Sequence, residues 1–139
     1  MGFIDRMCSR YAEKASTPEA KERLRSPLEH ELIARLQALL GTEAEREPMR
    51  LSLRFSGLVQ GVGFRWTNQS IARELHATGW VKNLADGTVA MELQGRPAQI
   101  IRHLDALHAS YGRVGCRVWL EECVDCSVVF DEKDFEVRF

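Results

Sequence analysis

The sequence predicts an α+β fold, two helices packed on one face of an antiparallel sheet, with a helical extension in front of it. Two observations carry that expectation. Apolar residues recur at helical spacing through residues 1–47 and switch to the two-residue period of a strand just after Pro48. From there, alternating and helical stretches follow one another as strand, helix, strand, strand, helix, strand, with one more short strand at the end.

In the extension, Phe3, Ile4, Met7 and Tyr11 recur on one helical face. Ser16-Thr17-Pro18-Glu19 reads as a helix start, with Ser16 and Glu19 at capping-box spacing. Ser26-Pro27-Leu28-Glu29 repeats the device with Pro27 at the first helical position. Leu28, Leu32, Ile33, Leu36, Leu39 and Leu40 then form one apolar stripe, which Gly41 can close. Thr42 to Pro48 is polar and reads as a linker. Residues 1–47 hold no catalytic constellation, and their apolar stripe must bury either on residues 48–139 or on a second copy of the chain.

Leu51, Leu53 and Phe55 alternate with Ser52, Arg54 and Ser56, the pattern of a half-buried strand. Residues 57–63 form a loop, and Phe64, Ile71, Ala72 and Leu75 give the next helix its inner face. Gly79 restarts the chain as a strand through Asn83, and Ala85-Asp86-Gly87 signals a hairpin into Val89, Met91 and Leu93. Gly95-Arg96-Pro97 opens the second helix, with Ile100, Ile101, Leu104 and Leu107 inward. Val114, Cys116, Val118 and Leu120 alternate, as do Phe135, Val137 and Phe139. This order is a split βαβ: a ferredoxin-like two-layer sandwich (βαββαβ) with a four- to five-stranded antiparallel sheet.

The chain has 139 residues, 45% hydrophobic and 28% charged, with a net charge of -1. That balance gives no electrostatic reason to bind nucleic acid or an anionic membrane broadly, so an anionic ligand has to be caught locally. No apolar run approaches a membrane span, and Arg6 stands where a myristoylation signal needs Ser or Thr. The expected location is the cytoplasm. Of the four cysteines, Cys8, Cys116, Cys123 and Cys126, the last two form a C-x-x-C with no second pair to complete a zinc site. On a strand they would point to opposite faces, so half-buried thiols are the expected reading.

The informative segment is Gly57-Leu58-Val59-Gln60-Gly61-Val62-Gly63-Phe64-Arg65, which joins a strand to a helix. A helix start offers unpaired amides and partial positive charge to an anion. Three glycines permit the close curvature of a backbone cradle, and Leu58, Val59 and Val62 suit it if they pack inward. Arg65 in the first turn opposes the helix dipole by roughly 0.3–1 kcal/mol, and a bound dianion would reverse that sign. The loop lacks the Gly-Lys-Ser/Thr ending of an NTP-binding loop, and Trp66 stands where a dinucleotide fingerprint needs Gly.

Gly57 to Arg65, followed by Thr78-Gly-Trp-Val-Lys-Asn83, Asp86-Gly-Thr-Val89, Gln94-Gly95 and the closing Phe135-Glu-Val-Arg-Phe139, resembles the acylphosphatase family over residues 50–139. The resemblance implies a ferredoxin-like fold, hydrolysis of small-molecule acyl phosphates, and neither metal nor cofactor. It implies that Arg65 and the backbone at Val59, Gln60, Gly61, Val62 and Gly63 bind phosphate, and that Asn83 holds the attacking water. It also implies that the substrate's own phosphate oxygen takes the proton, since neither motif contains His, Asp or Glu.

The chain departs from the family pattern at Leu58, where a basic residue is common, at Gly63, where a bulkier residue occurs, and at His76-Ala77 before the second motif. His76, His103 and His108 read as helix-surface or helix-end residues, and Trp66, Trp80 and Trp119 as packing residues. A non-catalytic phosphate- or carbamoyl-phosphate-binding module on the same fold is the alternative. No nucleic-acid or membrane partner is expected, and the chain should be a monomer or a weak homo-oligomer through its N-terminal helices.

Overall fold

The computed structural model describes residues 25–112 and 116–139. The helical features expected before residue 25, and Val114, lie outside the described residues. Five strands form one sheet: β1 (Met49–Gly57), β2 (Thr78–Asn83), β3 (Val89–Gly95), β4 (Val118–Cys126) and β5 (Phe135–Arg138). Among the described residues, three α-helices accompany them: α1 (Pro27–Leu39), α2 (Phe64–Glu74) and α3 (Pro97–Tyr111). Alternation places Leu51, Leu53 and Phe55 of β1, and Val89, Met91 and Leu93 of β3, under α2 and α3, all essentially solvent-free. Ile71, Ile100, Leu104 and Leu107 close that layer from the helices. The fold class agrees with the α+β, ferredoxin-like expectation.

The strand order is β4-β1-β3-β2-β5. Every neighbouring pair is antiparallel except β2 and β5, which are parallel. The sheet is therefore mixed, where the sequence had suggested an antiparallel one. The reason is topological. The chain leaves β4 at one edge, crosses the end of the sheet through residues 127–134, and enters the opposite edge from that same end. It can only run alongside β2 in the same direction. The crossing is pinned where Gln94 exchanges two hydrogen bonds with the Val129 backbone, 2.8 and 2.9 Å. Beside it, Arg50, 3% exposed, reaches Glu92 and Glu132 at 2.7 Å each. Removing either carboxylate would leave an under-compensated buried cation.

Ser26 caps α1, its hydroxyl accepting from the Glu29 amide at 3.1 Å. Leu32 and Leu36 of α1 are buried, and the helix packs on α3 and β4. Its apolar stripe is thus covered within the chain, at roughly 1.5–3 kcal/mol for each fully buried leucine. Leu40 is the exception: it lies just past the helix end and is 38% exposed. Arg35 of α1 forks onto Asp125 of β4 at 2.8 and 3.1 Å. The expected linker contains a short 3-10 helix, Glu43–Arg46.

Helix α2 ends in two nested bonds, Ala77 N to Ala72 O at 2.8 Å and His76 N to Arg73 O at 3.2 Å. This is a Schellman ending, and it puts His76 at φ 58, a conformation that costs a non-glycine residue about 1 kcal/mol. The departure from the family pattern at His76 is therefore carried as local strain. At the other end of the sequence, β4 begins at Val118, so Cys116 precedes the strand, and Phe139 lies beyond β5 and is 83% exposed.

Candidate active site

The 57–65 loop and Asn83, the last residue of the second motif, lie at one end of the sheet, where β1 and β2 finish and β3 begins. Gly57 has φ 98, and a Cβ there would stand 2.2 Å from the Arg117 carbonyl oxygen. Only glycine lets the chain turn so close, and the Leu58 amide bonds that same carbonyl at 2.9 Å. Val59 is buried and Val62 packs against the core, as expected of an apolar loop with its amides free. Leu58 departs from that expectation: its side chain is 53% exposed just past the turn at Gly57.

Gly63 takes φ 72 and ψ 19 at the N-cap of α2 and supplies no capping side chain. The first turn contains no acidic residue either. The amides of that turn therefore lack the side-chain partner a capped helix would give them. A larger residue at Gly63 would be strained at this φ, so glycine fits the turn.

Two side chains hold the loop in place. Gln60 Nε2 donates to the carbonyls of Leu84 and Thr88, 2.8 and 2.9 Å, tying the loop to the β2–β3 hairpin. Tyr111, buried at the end of α3, donates its hydroxyl to the Val62 carbonyl at 3.1 Å and sits 2.9 Å from Thr67 Oγ1 on α2. Fixing the Val62 carbonyl fixes the direction of the adjoining Gly63 amide in the same peptide plane. Neither role was visible in the sequence: both partners of each bond are remote, and only the glutamine's place inside the loop hinted at one of them.

The register locates Asn83. It pairs with Val89, which on its other side pairs with Phe55, the residue two before Gly57. Residues directly opposite share a face, and Val89 and Phe55 are buried under the helices. Asn83 therefore faces the helix side, two strand spacings or about 10 Å from the end of β1. Its Oδ1 is buried and has no hydrogen-bond partner.

Arg65, the second residue of α2, is half-buried. Its Nη1 donates to the Arg138 carbonyl at 3.1 Å, and its guanidinium lies 4.7 Å from the Phe139 ring centre. Arg138 pairs with Lys82, so the chain just beyond it is level with Asn83. The guanidinium thus sits at the Asn83 end of the sheet, held by one donor with others left for an anion.

The histidines depart from their expected surface positions. His103 is fully buried, its Nε2 2.8 Å from Asn68 Oδ1. The Asn68 amide nitrogen is itself occupied on the Phe64 carbonyl at 2.8 Å, which leaves Oδ1 to accept from Nε2–H. Burial pulls the His103 pKa down to about 3, so the ring is neutral through the working pH range and is unsuited to proton relay. His108 is also buried and pairs with the fully buried Glu29 at 2.8 Å, joining α1 to α3. His76 and His108 keep their helix-end places, the latter in the last turn of α3 but buried. Trp66 departs too, being 55% exposed and tilted against Phe139.

Cys123 pairs with Leu53 and Cys126 with Arg50, three residues apart along β4 and so on opposite faces. Burial raises the pKa of both thiols, disfavouring thiolate. Among the described residues, no group of three or more His, Cys, Asp or Glu is placed to hold a metal ion. Among them, too, no helix is long and apolar enough to cross a membrane.

A family model described as Acylphosphatase matches residues 51–137, well over half of the sequence. The chain belongs to the acylphosphatase family. A relative named Acylphosphatase from Lactobacillus gasseri is 39% identical over 85 residues, covering 61% of this chain and 89% of that protein. A solved acylphosphatase from Coxiella burnetii superimposes with a TM-score of 0.53 at 32% identity, covering 70% of this chain and 99% of that one. The structure of T. kodakarensis HypF also superimposes, with a TM-score of 0.56 at 25% identity, but only 12% of that chain is covered. Membership of this family makes the chain an enzyme that hydrolyses acyl phosphates.

Proposed function

We propose that the end of the sheet carrying the 57–65 loop and Asn83 is the active site, and that water attacks phosphorus in line there. The observation that carries this reading is the orphaned Asn83 Oδ1, a buried acceptor on the same end and face as the loop. A buried acceptor without a partner costs roughly 1–3 kcal/mol, which a held water would recover. The amides of Val59, Gln60, Gly61, Val62 and Gly63, with Arg65, would take the phosphoryl oxygens.

The chemistry asks little else of the protein. The acyl carboxylate is a good leaving group, so the work is charge neutralisation and alignment. Water oxygen forms the new bond to phosphorus while the bond to the acyl oxygen breaks. The electron pair leaves with the carboxylate, and the water proton passes to a non-bridging phosphate oxygen. Asn83 orients the water and cannot take that proton. Arg65 exchanges solvent for the dianion, with Phe139 and the Arg138 carbonyl setting the guanidinium plane.

The experiment is hydrolysis of benzoyl phosphate in water enriched in oxygen-18, with both products analysed by mass. Label is expected in inorganic phosphate and none in benzoate. Label in benzoate would place the attack on the carbonyl carbon and overturn the proposed geometry. Phosphate binding without turnover would instead favour the non-catalytic module.

A further inference from the structure

Three large apolar side chains stand exposed on the loop and the first turn of α2 or against Arg65: Leu58 at 53%, Trp66 at 55% and Phe139 at 83%. Two of them are organised. The rings of Trp66 and Phe139 lie 6.4 Å apart at a 56° tilt, and the Phe139 ring also carries the Arg65 guanidinium at 4.7 Å. Two aromatic side chains left in water side by side form the kind of patch that marks a binding surface. The neighbouring charges are turned elsewhere: Arg138 lies over Trp80 at 4.9 Å and bonds Glu136 at 3.2 Å.

The chemistry of the substrate says what such a patch would meet. In an acyl phosphate the acyl carbon is one bridging oxygen from phosphorus. With the phosphoryl group on Arg65, the acyl group must come to rest within a side chain's reach of that guanidinium. Among the described residues, the organised apolar surface within that reach is the ring pair. Aromatic rings accept other rings and hydrocarbon in tilted or offset contact and have no donor or acceptor to offer a small polar acyl group, apart from the Trp66 indole N–H.

We propose that Trp66 and Phe139 form the acyl subsite, selecting acyl phosphates whose acyl group is aromatic or a bulky hydrocarbon. This deepens the proposed active site and rests on it. The subsite acts by binding, so its effect is expected mainly in KM.

The test compares benzoyl phosphate with acetyl phosphate in wild type, Trp66→Ala and Trp66→Phe, each checked for an unchanged melting temperature. Because Trp66 is exposed and outside the phosphate cradle, the fold should persist. In Trp66→Ala, kcat/KM for benzoyl phosphate is expected to fall about tenfold, the loss of one aromatic contact surface. For acetyl phosphate the same substitution should change it by less than about twofold, the scale of an ordinary surface change. Trp66→Phe should keep most of the preference. Equal losses on both substrates, or no loss on either, would overturn the subsite while leaving the active site standing. A wild-type protein that hydrolyses neither substrate would overturn the active site and the subsite with it.

Discussion

Arg65→Ala is expected to lower kcat/KM for benzoyl phosphate by about a thousandfold, the upper range for removing one preorganised donor from a developing charge. The guanidinium is the only cationic side chain that the 57–65 loop contributes. It is held by the Arg138 carbonyl and the Phe139 ring, so its orientation is set before substrate arrives. Its loss should raise the KM for substrate and the inhibition constant for inorganic phosphate together, because both bind through the same dianion. The melting temperature should change little or rise, since a cation in the first turn of α2 opposes the helix dipole when no anion is bound. Arg65→Lys should recover only a small part, because an ammonium cannot match two phosphate oxygens in one plane. An alanine variant within about tenfold of wild type would remove Arg65 from the site, since that loss is no more than one ordinary contact.

For Asn83→Ala the expected pattern differs. Turnover should fall about a hundredfold, the loss of one oriented group acting on the nucleophile, while inhibition by inorganic phosphate stays nearly unchanged. The Asn83 amide sits on β2, level with the end of β1, and outside the loop that would grip the phosphoryl oxygens. On the proposed reading it would touch the water and leave the anion to others. Asn83→Asp separates this from a simple packing effect. A carboxylate there is nearly isosteric, yet it repels the incoming dianion, so KM should rise along with the fall in kcat. Steady-state kinetics with phosphate as inhibitor decide the matter. Phosphate affinity that falls in step with turnover in Asn83→Ala would assign Asn83 to anion binding.

The parts legible in the sequence were those encoded locally. Alternation in Leu51, Leu53 and Phe55 dictates a half-buried strand, and Ser26 with Pro27 dictates a helix start; both are present. The three glycines from Gly57 to Gly63 signalled tight curvature, and all three take positive φ. The placement of Asn83 needed more, because it depends on the register of three strands. Long-range pairing was hidden altogether. His103 finds Asn68 35 residues away and His108 finds Glu29 79 residues away, so nothing near either histidine marks it as buried. The parallel run of β5 follows from how the chain crosses the sheet's end, and no residue within β5 states it. Trp66 read as a packing residue; it is instead half-exposed, and its ring partner among the described residues, Phe139, comes from the far end of the sequence.

The most direct measurement is an amide-resolved NMR titration of the protein with inorganic phosphate. The largest shifts are expected on the backbone amides from Val59 to Gly63 and on the Arg65 side chain, with saturation at one common affinity. Shifts centred on another surface, with those amides unmoved at saturation, would contradict the proposed site.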